Sequence, residues 1–194
     1  MVSADYEYNA GIFSKMGLSN VSTIPNILKL TIGENVKEIG NNAFNLPSTL
    51  KSVNSRIDLN IEGHLTKVGD YAFYGWDLTH FDIPENCEVG QWPFSTTDLK
   101  VIELPASCVI NGFSFYDQSL DMLFDKGNHS TSLYLKGSPT IFVLSKEAYD
   151  VYKTRGYNVY LVGSGSSTLK EDVNEDGGVD TQDVLKVYDY MKTH

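Results

Sequence analysis

The chain has 194 residues, 41% of them hydrophobic, and a formal net charge of -10. That balance fits one or two globular units and argues against nucleic acid, because phosphate binding needs clustered Lys and Arg. No run approaches the roughly 18 apolar residues of a spanning helix, and no basic amphipathic stretch suggests a membrane surface, so no membrane insertion is expected.

Met1-Val-Ser-Ala-Asp-Tyr6 is polar, so no signal peptide is read there, although a mature chain would lack one too. A short motif then recurs along the chain. Tyr8-Asn-Ala-Gly-Ile-Phe13 is a degenerate copy, followed by Leu18 and Val21. Ile39-Gly-Asn-Asn-Ala-Phe44 is followed by Leu50 and Val53, and Val68-Gly-Asp-Tyr-Ala-Phe73 by Leu78 and Phe81. Val89-Gly-Gln-Trp-Pro-Phe94 precedes Leu99 and Ile102, and Ile110-Asn-Gly-Phe-Ser-Phe115 precedes Leu120 and Leu123. From Phe73 to Phe94 to Phe115 the step is 21 residues, within the range of leucine-rich solenoids. In such a stack each unit buries its apolar face only against its neighbours. The first copy begins with no capping helix before it, so the natural precursor is expected to extend further at its N-terminus.

Between the motifs lie segments of period two: Leu30-Thr-Ile32, Leu59-Asn-Ile61, Phe81-Asp-Ile83, Ile102-Glu-Leu104 and Leu133-Tyr-Leu135. They predict strands with one buried face, two of them ended by Pro84 and Pro105. The motif itself is too short for a full helix and reads as a turn, its Phe plugging the interior. Ile141-Phe-Val-Leu144 is expected to be a strand, Ser145 to Lys153 a short helix with Ser145 as N-cap and Glu147 in the first turn, and Tyr157 to Val162 a last strand. This divides the chain into a solenoid over 1–163, a Gly/Ser linker over 164–168 and a separate module over 169–194.

The last module carries a recognisable chemistry. Asp172-Val-Asn174-Glu-Asp176-Gly177-Gly178-Val-Asp180-Thr-Gln-Asp183 follows the twelve-residue calcium-loop pattern. Ca2+ is a hard cation that takes six to eight oxygens. Asp172, Asn174 and Asp176 would give side-chain oxygens, Gly178 its carbonyl, Asp180 an oxygen through water and Asp183 the closing carboxylate. Position twelve is Asp where the common loop has Glu, which brings the following helix closer. That helix, from Val184 to Met191, places Val184, Val187, Tyr188 and Met191 on one face. No helix fits before the loop.

Two resemblances follow from these residues. The Ile-Pro, Ile-Gly-x-x-Ala-Phe and Leu-x-x-Ile elements over about 8–162 resemble the BspA-like leucine-rich repeats of bacterial surface proteins. This implies an α/β-type repeat solenoid of short strands, turns and short helices, with no catalytic residues and a role in adhesion to a host or bacterial surface protein. The loop-helix unit resembles one half of a type I dockerin, with Thr181 and Gln182 at the positions of that family's recognition pair. A complete dockerin has two halves and binds a cohesin; the single half here departs from that pattern. Extracellular or cell-surface localisation is implied.

Other features are weaker. Cys87 and Cys108 occupy equivalent sites on adjacent repeats and read as small apolar thiols in the core, with a bridge between them as the alternative. His64, His80, His129 and His194 fall at unrelated repeat positions, which argues against a metal or catalytic cluster. No nucleophile motif or phosphate loop is present, so an enzyme is not expected. Asp82 and Glu103 face away from the core, where a solvated face is the plain reading of a small acidic patch. Trp76 beside Gly75 reads as core. The second variable motif site holds Gly11, Asn42, Tyr71, Trp92 and Phe113. Repeats spaced about 4.8 Å apart would align Tyr71, Trp92 and Phe113 as an aromatic ladder. That ladder is either a structural edge or an exposed strip for a protein or a glycan.

Overall fold

The computed structural model describes residues 29–46, 58–76, 78–116, 118–162 and position 186. The first repeat at Tyr8–Val21, Leu50 and Val53, the linker and the calcium loop lie outside them. Parallel ladders build the stack, as a repeat that advances by one rung per turn requires. β1 (Lys29–Ile32) pairs with β3 (Asp58–Ile61), and β6 (Val101–Leu104), β8 (Met122–Asp125), β9 (Thr140–Val143) and β10 (Asn158–Leu161) form a four-stranded sheet. On the return side, β2 (Glu38–Ile39), β4 (Lys67–Val68), β5 (Glu88–Val89) and β7 (Val109–Ile110) form a second four-stranded ladder. The aliphatic residue that opens each motif is the register residue of that ladder: Ile39 pairs with Val68, Val68 with Val89, and Val89 with Ile110.

Between the two walls the motif phenylalanines form a column. Phe44, Phe73, Phe94 and Phe115 lie with successive ring centroids 5.4, 6.0 and 5.9 Å apart and planes within 12° of parallel. Trp76 is fully buried edge-on to Phe44 and Phe73, and its indole N–H donates to Phe44 O at 2.5 Å. The motif glycine is set by the approach of the rung before it. Asn41 Oδ1 accepts from Asp70 N at 2.9 Å, and Asp70 Oδ1 from Gln91 N at 2.6 Å. A Cβ on Gly69 would lie 2.5 Å from Asn41 Oδ1, and one on Gly90 would clash with Asp70 Oδ1.

Two expected strands are corrected. Phe81-Asp-Ile83 belongs to neither ladder, and the strand row is divided there into its two sheets. The inner position is filled by a ring rather than an aliphatic chain: Phe81 wedges between Phe73 and Phe94, at 5.7 and 4.6 Å, and draws the segment into the core. Leu133-Tyr-Leu135 keeps its alternation, with both leucines buried and Tyr134 exposed. It lies, however, on the return side, where Tyr134 N donates to Gly112 O at 2.8 Å. The strand of that repeat is β8, whose apolar run on both faces has no period of two.

The closing elements follow the sequence. α1 (Lys146–Thr154) is capped by Ser145, whose hydroxyl accepts from Ala148 N at 3.1 Å, and it buries Ala148 and Tyr152. Phe94→Ala should lower unfolding free energy by about 3–5 kcal/mol in denaturant titration, since it opens a cavity in the middle of the column. Leu144→Ala, at an exposed position, should stay within about 0.5 kcal/mol of the parent.

Candidate partner-binding surface

Two residues before each motif phenylalanine the chain turns outward. Tyr71, Trp92 and Phe113 are brought together there, with centroids 5.5 and 5.6 Å apart and planes tilted by 33°. The column runs further than the motif suggested. Tyr134 lies 5.3 Å from Phe113 at 13°, and the Arg155 guanidinium sits 5.6 Å from the Tyr134 centroid. Arg155 is held in place by donating to Leu133 O and Thr131 O, both at 2.9 Å. Tyr74 packs edge-on against Tyr71, and Tyr116 edge-on against Phe113. The residues missed in the sequence were in register: stepping by 21 from Phe113 reaches Tyr134, then Arg155. Gly11 lies outside the described residues, and Asn42 holds the same turn without a ring.

The strip is on the surface. Phe113, Tyr116 and Tyr134 are 39%, 43% and 50% exposed, and Tyr71, Tyr74 and Trp92 are half-buried. Phe113 and Tyr134 are stacked on each other, and Trp92 is packed at a tilt against both Tyr71 and Phe113. The backbone underneath is unusual. Asn42, Tyr71 and Trp92 have φ of 57°, 54° and 47°, in the left-handed region. Asn tolerates this conformation, but a bulky ring there is an outlier and strains the chain by about 1–3 kcal/mol. Tyr71 packs on Tyr74 and Trp92, and Trp92 on Tyr71 and Phe113; at about 0.5–1.5 kcal/mol for each contact, these roughly offset the strain. Fold stability alone therefore gives no net reason for aromatic residues at 71 and 92.

A second constellation was not anticipated. Asp125 occupies an inward-facing strand position where neighbouring strands carry Leu104 and Val143. It is fully buried, and it accepts from Gly127 N (3.1 Å), His129 N (3.2 Å) and Tyr152 OH (2.9 Å). His129 Nδ1 lies 2.7 Å from Asp125 Oδ1, and its Nε2 lies 3.0 Å from Cys108 O and 3.5 Å from Cys108 Sγ. Burial alone would lower the His129 pKa, but hydrogen bonds to Asp125 and Cys108 and the Asp125 charge outweigh it and raise it to about 10. The imidazolium then donates from both nitrogens and has no lone pair to offer the thiol. Cys108 S–H donates to Pro105 O at 3.0 Å. The group is thus an ionic clamp joining β8, the turn at His129–Thr131 and α1. Burial pushes the Tyr152 phenol up, helped by the Asp125 charge and hydrogen bond. Cys87 and Cys108 are buried free thiols, and burial first, then Cys108, pushes Cys87 up to about 12.

Charged groups on the outer strand face are paired. Asp82 lies 3.1 Å from His80, and Glu103 2.6 Å from Lys126. Asp172, Asn174, Asp176, Gly178, Asp180 and Asp183 lie outside the described residues.

Because the folded pKa of His129 is raised, its contribution to stability is complete below the unfolded value near 6.5 and is lost as pH rises through about 10. Thermal denaturation should show a decline across that window. His129→Gln should remove the decline and cost about 3 kcal/mol at pH 6.5, since it leaves a buried carboxylate unpaired.

A family model described as the BspA type leucine rich repeat region matches residues 21–130 in six copies. No curated protein and no solved structure matches the chain.

Proposed function

The chain belongs to the BspA-type leucine-rich-repeat family, and on that premise we propose that it is an extracellular or cell-surface adhesion scaffold. Its contact surface for a protein partner is the strip Tyr71–Trp92–Phe113–Tyr134. The observation that carries this reading is the pairing of exposure with strain: rings are kept on left-handed backbone at Tyr71 and Trp92, where their ring contacts do little more than offset the strain. Tyr, Trp and Arg are the residues that dominate protein contacts, because they bury large rigid area and keep a polar handle. A glycan is the alternative occupant. A sugar ring stacks on an open aromatic face, whereas here Phe113 and Tyr134 stack on each other and Trp92 packs against both Tyr71 and Phe113, which favours a protein partner.

The test uses Trp92→Asn. Asn fits the left-handed turn, so relief of strain and loss of ring contacts should nearly cancel, leaving stability within about 1 kcal/mol. Immobilised parent protein should retain surface-protein extracts that Trp92→Asn does not, and soluble polysaccharides should leave its migration in affinity gels unchanged. Equal retention by the variant would end the reading. Retardation by polysaccharide would move it to the glycan alternative.

The proposal extends to the C-terminal module. Asp172, Asn174, Asp176, Gly178, Asp180 and Asp183 would hold one Ca2+, which would supply the positive charge that lets this many carboxylates share a loop. The support is the donor set and its spacing, all oxygen, with Gly177 at the turn position. The role is structural, since binding orders a loop and one short helix rather than opening a second lobe. Resembling only half a dockerin, the module is not assigned a cohesin partner. Calorimetric titration of the metal-stripped chain should show one calcium heat that Asp172→Ala abolishes; absence of heat in the parent would remove the metal from the account.

A further inference from the structure

Cys87 and Cys108 stand one repeat apart, and the return-side ladder puts them side by side. Glu88 pairs with Val109 across β5 and β7, and Val109 N donates to Cys87 O at 2.9 Å. One residue upstream, the same register sets Cys87 opposite Cys108. The turns that carry them are joined as well. Each cysteine N–H donates to the prolyl carbonyl three residues before it, Cys87 N to Pro84 O and Cys108 N to Pro105 O, both at 3.3 Å. Asn86 N donates to Ser107 Oγ at 3.0 Å, and the Ser107 hydroxyl donates to Glu85. Both cysteines are buried, at 0% and 5% exposure, and both thiols are free. Parallel neighbours about 4.8 Å apart fall within the Cα separation of about 4.4–6.8 Å that a disulfide spans. A bridge sets its Cβ atoms about 3.5–4.5 Å apart, so closure draws the two turns together by about 1 Å.

We propose that Cys87 and Cys108 form a redox latch: a cross-rung disulfide, open in this structure, that closes when the protein meets a disulfide oxidant. His129, one further 21-residue step along the chain, sets the order of events. The thiolate is the reactive form of a cysteine, and the His129 imidazolium, its Nε2 3.5 Å from Cys108 Sγ, can donate to one at Cys108. Burial holds Cys87 as the thiol, so it reacts second. Cys108 Sγ attacks the oxidant disulfide, giving a mixed disulfide and one free thiol of the oxidant. Cys87 Sγ then attacks Cys108 Sγ and expels the other. The oxidant's S–S bond is reduced, two protein thiols are oxidised, and each proton leaves on a released thiol. Pro105 O loses the Cys108 S–H donor but keeps Cys108 N–H, so that acceptor is not stranded. Access comes through the turns: each cysteine follows two exposed residues, Glu85 and Asn86 or Ala106 and Ser107, and exposed turns open locally before the core does. The bond closes a loop of one full repeat, which removes freedom from the unfolded chain. It also ties the rung of Trp92 to the rung of Phe113, each ring five residues beyond a cysteine.

The experiment equilibrates the reduced full chain with oxidised glutathione in the absence of denaturant. Samples are quenched in acid, desalted, unfolded and alkylated with N-ethylmaleimide. Intact mass should fall by two hydrogens with no alkylation, and peptide mapping should place one bridge between Cys87 and Cys108. The bridged form should melt several degrees above the reduced form. Cys87→Ser should stop at a mixed glutathione disulfide on Cys108. Two alkylated cysteines after oxidation, covalent dimers, a bridge that forms only in denaturant, or a bridged form that melts below the reduced one would each overturn the proposal. The partner-binding reading stands or falls separately, because Trp92→Asn keeps both thiols and Cys87→Ser keeps every ring of the strip.

Discussion

The structure depends on the identical advance of every rung, and the phenylalanine column enforces it. Phe44, Phe73, Phe94 and Phe115 are near-parallel at 5.4–6.0 Å, more than the roughly 4.8 Å between hydrogen-bonded strands. The two walls therefore cannot close independently of their filling. On the return side successive rungs come so near that there is no room for a side chain at the motif glycine beside the Asn or Asp of the rung before. The repeat motif is thus a description of clearances: aliphatic for the ladder, Gly for the approach, a free outward site, a small residue, then the ring.

That outward site is where the fold is indifferent and where the chain has been particular. Asn42 meets the backbone requirement with no strain to offset, while Tyr71 and Trp92 do not. The row then continues through Phe113 and Tyr134 to a guanidinium anchored on two carbonyls. A continuous edge of rings with a fixed cation at one end is a surface with direction, and the proposed partner would be registered lengthwise on it as well as held.

Much of this was legible in the residues. The period of 21 gave the rung spacing, the buried phenylalanines and three of the aligned aromatics, because those positions are repeated and the physics is the same each time. Legibility failed where a repeat departed from its own pattern. Phe81 kept the alternation of a strand while its bulk removed the segment from the ladder. Met122-Leu-Phe-Asp125 is apolar on both faces, so no period marks it as a strand, whereas Leu133-Tyr-Leu135 carries the alternation without being one. Asp125 stands at the end of an apolar run, and nothing in the run marks it as buried. Its real partners, His129 and Tyr152, come from a turn and a helix, and only the fold brings them together. The calcium loop rests on residue spacing alone.

The break at Phe81–Ile83 gives the stack a mechanical asymmetry. One wall runs without interruption through β2, β4, β5 and β7, whereas the other is cut between β3 and β6. Beyond the cut, a buried ionic clamp ties β8 to α1. Bending of such a rod concentrates where only one wall is continuous, with the uncut wall as the flexure and the clamped block moving as a unit. A load applied along the stack would therefore be felt first beside Phe81, where the ring packs between Phe73 and Phe94.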